Sequence, residues 1–200
     1  MTGLSRFSFG SLPVSTWRNG GGETREIISW PLGLPHFDWR VSIATIATDG
    51  PFSRFEDIDR SITLLSGAGV LLSAEGGIEH SLDRPAEPFA FAGETAIQAH
   101  LINGITTDFN VMTRRGQVSA RVLPQHGVFT ANLQRAGMLY VLQGQWQAGE
   151  ALLLSASEGV YWTEEHALEQ PADLDLEPLQ TESLLLWVEI RSEPCKAAAN

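Results

Sequence analysis

Cysteine is almost absent from the 200-residue sequence, which contains only Cys195. That residue lies in a tail ending Lys196, Ala197, Ala198, Ala199, Asn200, with no partner cysteine, ligand cluster or catalytic histidine nearby in sequence. The sequence therefore argues against a disulfide framework, a zinc site built on cysteine and a cysteine nucleophile.

Long apolar runs are also missing. No stretch approaches the roughly 18 apolar residues that a membrane-spanning helix needs, and residues 1–19 lack the basic start and apolar run of a signal peptide. At 43% hydrophobic and 18% charged residues, the chain has enough apolar surface for a core. We expect a soluble, cytoplasmic protein without membrane association.

Positive charge is scarce, with 13 Lys and Arg against 24 Asp and Glu and a net charge of −11. Phosphate backbones require clustered basic residues, so we expect no nucleic-acid partner. Residues 144–200 carry 11 acids and 2 bases (−9), whereas residues 1–143 carry 13 acids and 11 bases (−2). The second half therefore holds most of the acidic excess.

Twelve of the 13 basic residues are arginine, whose rigid fork suits a carboxylate. A genome that favours arginine codons would explain their number, but not their placement in apolar or β-patterned stretches of the first half. The arginines placed in this way are Arg18, Arg25, Arg40, Arg60 and Arg114.

Helical periodicity is absent too, whereas short β-rich runs recur between Gly, Pro, Asp and Asn. Such spacing predicts a sandwich or barrel with little helix. The predicted strands cover residues 23–30, 38–48, 61–66, 70–74, 97–102, 106–114 and 184–190.

A weak internal repeat refines this prediction. Residues 64–73 and 141–155 each read as an apolar strand, a polar residue, a glycine turn (Gly67 or Gly144) and a second apolar strand. An aromatic strand follows each copy, at residues 88–91 and 160–162. The repeat favours two β-barrel halves, although a match this short can arise by chance.

The most unusual segment surrounds three consecutive glycines, at residues 17–27. Glycines let the backbone adopt positive φ and approach a ligand closely. They also suit a plain hairpin turn with Trp17 in the core, and both interpretations stay open. No Lys-Ser or Lys-Thr and no helix follows, so a phosphate loop is poorly supported.

Alternation along two strands decides which polar side chains can meet. In the strand at 38–48, one face carries Trp39, Val41 and Ile43, and the other carries Arg40, Ser42 and Ala44. In the strand at 106–114, one face carries Phe109 and Val111, and the other carries Asp108, Asn110, Met112 and Arg114. The polar faces meet either solvent or the interior of a barrel.

These residues carry a resemblance to the HutD/Ves family. The similar segments lie in order from about Trp17 to Trp162 and thin out beyond it. They are residues 17–19, 21–27, 37–44, 50–53, 60, 63–67, 88–91 and 108–114. The resemblance implies an all-β, cupin-type β-barrel or jelly roll with two cupin-like modules, at residues 1–115 and 116–191, between which strands can be exchanged, and a disordered tail at 192–200.

The family resemblance also implies a role in tuning histidine utilisation, whose intermediates, such as urocanate and formylglutamate, carry carboxylates. Metal-binding cupins show two histidines one residue apart, then a glutamate and a third histidine. This chain has only His36, His80, His100, His126 and His166, with no His-x-His. The pairs Glu79-His80 and Glu165-His166 cannot chelate jointly on a strand, because neighbours point to opposite faces. We predict no metal and no cofactor.

Two functional classes remain. The first is a non-catalytic protein that senses or limits the pathway by binding a small acidic metabolite, with a homodimer as a possible assembly. The alternative is a metal-free isomerase or hydrolase with Glu26 or Asp108 as general base and Arg25 or Arg40 stabilising negative charge. The predicted ligand-binding residues are Trp17, Arg18, Asn19, Arg25, Glu26, Arg40, Ser42, Asp108 and Asn110. The sequence does not decide which acid binds, whether it is turned over, or which arginines are internal ion pairs.

Overall fold

The structure is a computed structural model that describes residues 3–165 and 173–193. In this part of the chain there are nineteen β-strands, numbered β1 to β19 in chain order, a short 3-10 turn at Phe9–Ser11 and no α-helix. The prediction of an all-β fold with little helix is therefore confirmed. No helix among these residues is long and apolar enough to cross a membrane. His166, Cys195 and most of the predicted tail (194–200) lie outside the described residues.

The chain divides into two compact units. The first unit is Pro13–Ser119 together with the residues from Ser192, and the second is the segment up to Leu12 together with Ala120–Arg191. The predicted boundaries at 115 and 191 stay a prediction.

The first unit contains a six-stranded and a four-stranded antiparallel sheet, in the orders β2-β3-β4-β11-β6-β9 and β5-β10-β7-β8. Side chains from both sheets form one apolar core, in which Ile46, Ile62 and Leu64 of the larger sheet pack with Leu72 and Ile97. The strands are β2 (Val14–Thr16), β3 (Gly22–Trp30), β4 (Trp39–Ile46), β5 (Gly50–Pro51), β6 (Ile58–Ser66), β7 (Val70–Ala74), β8 (Ile78–Leu82), β9 (Pro88–Ala92), β10 (Gln98–Leu101) and β11 (Thr106–Arg114).

The second unit has the same two-sheet plan, with orders β1-β17-β14-β19-β12 and β13-β18-β15-β16. Its core contains the fully buried Trp146 and Trp162 among leucines and valines of both sheets. The strands are β1 (Ser5–Ser8), β12 (Val118–Gln125), β13 (Phe129–Asn132), β14 (Gly137–Gln143), β15 (Gln145–Ala148), β16 (Leu152–Ser155), β17 (Glu158–Trp162), β18 (Asp173–Pro178) and β19 (Leu184–Ser192).

The predicted closed barrel is not observed. Within the described residues, each unit consists of two separate sheets whose hydrogen bonding does not continue from one sheet into the other. In the first unit the larger sheet ends at the short strands β2 and β9, and the smaller sheet ends at β5 and β8. A barrel requires every edge to be paired, so the fold in this part of the chain is a pair of open sheets.

All seven predicted strands coincide with observed strands. Two of them, at 70–74 and 106–114, match β7 and β11 at both ends, and the others differ by up to three residues at an end. These runs combine β-branched residues with turn residues at their ends, which is the pattern that β-strands favour. Strands such as β12 and β18, which include proline or several charges, were not predicted.

The inward face of the larger sheet in the first unit changes character along its strands. On β4, the inward side chains run from Ile46 through Ala44 and Ser42 to Arg40, and Ile46 belongs to the apolar core. Because alternate residues share a face, one end of the space between the sheets is apolar and the other is polar. This polar end is where a ligand can be enclosed.

The glycine segment forms the hairpin between β2 and β3. The Trp17 backbone N–H donates to the carbonyl of Gly22, and the N–H of Gly20 donates to the carbonyl of Trp17. Gly20 has a positive φ of 70°. At Gly22, a Cβ atom would lie 2.3 Å from the carbonyl oxygen of Thr45 and 3.0 Å from the indole ring of Trp17. The missing side chain thus lets the indole lie flat against the strand.

We expect Gly22→Ala to destabilise the protein by about 1–3 kcal/mol, because the new methyl group overlaps the backbone of β4 and the ring of Trp17. Urea unfolding followed by tryptophan fluorescence measures the effect. Gly10→Ala is the control, since its Cβ would meet no atom within 4 Å. Equal stability of the two variants would contradict the assigned role of Gly22.

Candidate functional site

A cavity of about 550 Å³ opens at the polar end of the first unit. Its walls come from the inward faces of β3, β4, β6 and β11, from the start of the β2–β3 hairpin and from residues 51–55. Its volume is in the range of small-molecule sites. Seven of the nine predicted ligand-binding residues line it: Trp17, Arg18, Asn19, Arg40, Ser42, Asp108 and Asn110.

The strand register arranges the cavity floor in rows across the sheet. Arg40 of β4 and Arg60 of β6 flank Met112 of the intervening β11. In the next row, Ser42 lies opposite Asn110. Two strand spacings separate the backbones of the two arginines, roughly 10 Å, so that both guanidinium groups point into one cavity.

In the third row, Asp108 lies opposite Ala44 of β4 and Leu64 of β6. Beyond it the inward side chains belong to the apolar core, as Leu64 does. Asp108 therefore lies at the boundary between the polar floor and the core.

Arg60 is the most buried cation of the cavity, with only 9% of its surface exposed. Its guanidinium carbon lies 5.4 Å, 5.6 Å and 5.0 Å from the ring centres of Phe52, Phe55 and Phe91, within cation–π range. Nη1 donates to the Ser53 carbonyl at 3.2 Å, and Nη2 donates to Asn110 Oδ1 at 3.4 Å.

The protein leaves the guanidinium of Arg60 incompletely satisfied. Nε is buried and donates to no atom of the described residues. Burial lowers the pKa of Arg60 to about 10, against an opposing influence of Asp108, and nearby Arg40 lowers it further. Arg60 is therefore still cationic at neutral pH, and it carries its charge inside an aromatic cage.

Asp108 is 3% exposed and faces the same cavity. Burial raises the pKa of its carboxyl to about 7, partly offset by the positive charge of Arg60. No hydrogen bond or ion pair joins this carboxyl to any residue in 3–165 or 173–193. Asp108 is thus a buried acid whose pKa lies near neutral pH and whose carboxyl oxygens accept no hydrogen bond from the described residues.

Arg40 is held at the side of the cavity by Glu26. Its Nε donates to Glu26 Oε2 at 2.7 Å, and the side chains are 23% and 45% exposed. Because this pair is partly solvated, its contribution to stability is modest. Arg40 also lines the cavity.

The mouth of the cavity is formed by the β2–β3 hairpin. Trp17 packs partly buried against the core of the first unit and donates from Nε1 to Thr24 Oγ1 at 2.8 Å. Arg18 and Asn19 are exposed, and Asn19 Oδ1 accepts a hydrogen bond from the N–H of Gly21 at 3.0 Å. The turn and the cavity wall are therefore the same segment, so the two interpretations of the glycine motif are compatible.

Two predicted residues do not line the cavity. Arg25 lies opposite Ile43 in the register, on the outward face of β3, and its Nη2 binds Glu23 Oε1 at 3.0 Å. Glu26 lies opposite Ser42 on the inward side but is turned to Arg40. It supports the cavity through that arginine instead of forming its surface.

Sequence reasoning noted Arg60 among the notable arginines but did not include it in the predicted site. The residues around it, Phe52, Ser53 and Phe55, come from the loop after β5, which no strand pattern places. A signal was present, since Arg60 shares its face with the apolar Ile62 and Leu64. A charged residue on an apolar inward face has to meet either a partner or a ligand.

Metal binding receives no support from the described residues, among which no group of three His, Cys, Asp or Glu is placed to hold an ion. His80 stacks on Phe89 with ring centres 3.9 Å apart, and His100 Nδ1 lies 3.2 Å from Asp49 Oδ2. His166 and Cys195 lie outside this part of the chain, so the metal-free character stays a prediction.

The charge of the cavity is opposite to that of the chain. Its lining includes three arginines, Arg18, Arg40 and Arg60, and one acid, Asp108. Three positive charges against at most one negative leave the lining at +2 or more, in a chain with a net charge of −11. The lining is therefore positively charged in a chain that is negative overall.

Comparison with known proteins places these residues in a family context. The HutD family model matches residues 11–179. Protein Ves of Citrobacter koseri is 42% identical over 160 residues, which cover 80% of this chain and 83% of that protein. Protein Ves of Escherichia fergusonii is 38% identical over 192 residues, covering 96% of each chain.

Solved structures show the same fold. HutD from Pseudomonas fluorescens SBW25 superposes with a TM-score of 0.81 at 27% identity, covering 96% of this chain and 100% of that one. A cupin 2 conserved barrel domain protein from Leptotrichia buccalis gives a TM-score of 0.60 at 9% identity, covering 96% of this chain and 98% of the other. The second likeness extends to the fold alone and makes the present fold cupin-like.

Asp108 predicts a pH dependence of stability. Folding raises the pKa of this carboxyl from 3.8 to about 7. Its contribution to the free energy of unfolding is therefore fully present below about pH 4 and is lost as the pH rises through 7. We expect the free energy of unfolding of Asp108→Asn not to show this decrease with pH. In the wild type the decrease amounts to at most about 4 kcal/mol, at 1.36 kcal/mol per pKa unit.

Urea unfolding of the wild type and Asp108→Asn between pH 5 and 8 tests this expectation. The variant should gain stability relative to the wild type as the pH rises. Asp173→Asn, at an exposed aspartate of β18, should follow the wild-type pH profile. Parallel profiles for the wild type and Asp108→Asn would contradict the burial of a titrating acid.

Proposed function

Because the chain belongs to the HutD family, we propose that it is a metal-free small-molecule-binding protein that holds a carboxylate-bearing metabolite in the cavity of its first unit. The family's association with histidine utilisation supports a role in sensing or limiting that pathway. Urocanate and formylglutamate-like compounds are the acids that this association favours.

The observation that carries the proposal is the state of Arg60. A buried arginine is costly unless charge-assisted hydrogen bonds compensate for its lost hydration. The protein supplies two bonds of 3.2 Å and 3.4 Å, both to neutral acceptors. A ligand carboxylate would supply the direct ionic acceptor that Arg60 lacks among the described residues, with each charge-assisted bond contributing about 1.5–3 kcal/mol.

Arg40 and the hairpin complete the proposed site. Arg40 lies in the same row as Arg60, so an acid between them is attracted from both sides. Trp17 offers a flat apolar wall, and Asn19 and Asn110 offer neutral hydrogen-bonding groups that orient a small molecule. Polar groups that converge on one cavity beside aromatic walls are typical of specific small-molecule sites.

A second candidate function is catalysis on such an acid. Asp108 favours it, because a buried carboxyl whose pKa is raised to about 7 is suited to general acid–base chemistry. Glu26, the other acid considered from the sequence, is engaged with Arg40 and lines no part of the cavity. If the protein is an isomerase or hydrolase, Asp108 is its base.

The finer description of the fold is also a proposal, namely that the two units are two cupin-like modules. In each unit, a glycine with positive φ connects a strand of the larger sheet to one of the smaller. Gly67 (φ 93°) does so between β6 and β7, and Gly144 (φ 78°) between β14 and β15. These are the turns of the two repeat copies seen in the sequence.

A thermal-shift panel distinguishes the candidate functions. Urocanate, formylglutamate, formiminoglutamate, glutamate and histidine are each added in excess, with and without EDTA. A ligand that binds the folded state raises the Tm by mass action. Stabilisation by one acid without product formation supports the sensor, and consumption of that acid supports the enzyme. A shift that disappears with EDTA would contradict the metal-free site.

Substitution of Arg60 tests the proposed anchor. We expect Arg60→Met to weaken binding of the stabilising acid by about tenfold or more, the equivalent of one charge-assisted hydrogen bond, while a methionine fills the phenylalanine cage. Titration calorimetry measures the affinity, and circular dichroism checks the fold.

The matched control is Arg25→Met, which removes an arginine on the outward face of the same sheet. Its affinity should equal that of the wild type. Arg40→Met should weaken binding as Arg60→Met does. If Arg60→Met binds as tightly as Arg25→Met, Arg60 only holds the loop at Ser53 in place and the proposed anchor is wrong.

A further inference from the structure

The buried carboxyl of Asp108 requires a hydrogen-bond donor. A carboxylate has four lone-pair sites, and buried polar groups are nearly always hydrogen-bonded. Among the residues that the structure describes, no donor reaches Asp108. Yet the side chain is 3% exposed and lines the cavity, so that only a bound molecule or water can supply the bond.

The donor groups nearest to Asp108 in the register make no hydrogen bond to it. Arg60 donates to the Ser53 carbonyl and to Asn110 of the neighbouring row. The Ser42 hydroxyl, one row away, is buried without a partner. The cavity therefore contains an acceptor without a donor, at Asp108, and a buried cation without an ion pair among the described residues, at Arg60.

These two groups come from neighbouring rows of the sheet. Arg60 reaches the row of Asn110, and the backbone of Asp108 lies one row closer to the core, about 7 Å farther along the strand by the spacing of alternate residues. A ligand that satisfies both groups carries its acid and its hydrogen-bond donor at opposite ends of a short molecule.

We propose that Asp108 is the specificity-determining residue of the site, and that its carboxylate accepts an N–H of a ligand whose own carboxylate is bound by Arg60 and Arg40. This inference rests on the proposed function and narrows the ligand class to acids that carry an N–H donor. An acid of similar shape without that N–H leaves the Asp108 carboxylate without a hydrogen bond, which weakens its binding.

Two matched pairs of compounds test the proposal on the full-length protein. Urocanate and trans-cinnamate share an acrylate chain, but only the imidazole ring of urocanate carries an N–H. Formylglutamate and glutarate share a dicarboxylate chain, but only formylglutamate carries an amide N–H. Titration calorimetry at pH 7.5 gives the Kd of each compound for the wild type and for Asp108→Asn.

In at least one pair, we expect the wild type to bind the N–H compound about tenfold or more tightly than its analogue, the ratio that one charge-assisted hydrogen bond provides. Asp108→Asn should reduce this ratio to within about threefold and should bind the analogue as tightly as the wild type or more tightly, because a negative charge has been removed. Unfolding cannot mimic the second effect, since an unfolded variant gains no affinity.

The opposing outcomes are distinct. If the wild type binds both members of each pair equally, or if Asp108→Asn keeps the preference, the N–H assignment is wrong while the proposed acid-binding function stands. If no acid binds at all, the proposed function fails and this inference fails with it.

Discussion

The burial of charge between two sheets is the constraint on which the first unit depends. Arg40 and Arg60 point to the same side of the larger sheet, two strands apart; burial lowers the pKa of Arg60, and the charge of Arg40 adds to this effect. Arg40 is paired with Glu26, whereas Arg60 has no ion pair among the described residues. The aromatic cage, the amide of Asn110 and the ion pair to Glu26 are the means by which the protein tolerates this arrangement.

The magnitudes show how the protein tolerates a buried cation. Desolvating a cation costs several kcal/mol, whereas a cation–π contact contributes about 0.5–2 kcal/mol and a hydrogen bond to a charged group about 1.5–3 kcal/mol. Three rings, two hydrogen bonds and the nearby carboxyl of Asp108 offset this cost. An acid bound as proposed would add a direct ionic partner for Arg60 in a cavity that is already formed.

Alternation along strands made much of this cavity predictable from the sequence. Once 38–48 and 106–114 are strands, Arg40 with Ser42 and Asp108 with Asn110 must share faces, and the structure directs both faces to one cavity. By the same rule Arg25 and Glu26, which are neighbours on β3, point to opposite faces, so the prediction that both belong to one site was inconsistent with alternation. Arg60 and its phenylalanines could not be predicted, because their meeting depends on the loop after β5 and on how the two sheets pack.

The chain's negative charge and the cavity's positive lining act over different distances. At physiological salt, charges in solvent are screened beyond about 8 Å, whereas buried charges are screened much less. Arg60, with 9% of its surface exposed, belongs to the second group. Under the proposed function, affinity for an acid is consequently decided by a few buried groups, and Asp108, the one negative group of the lining, would distinguish one acid from another.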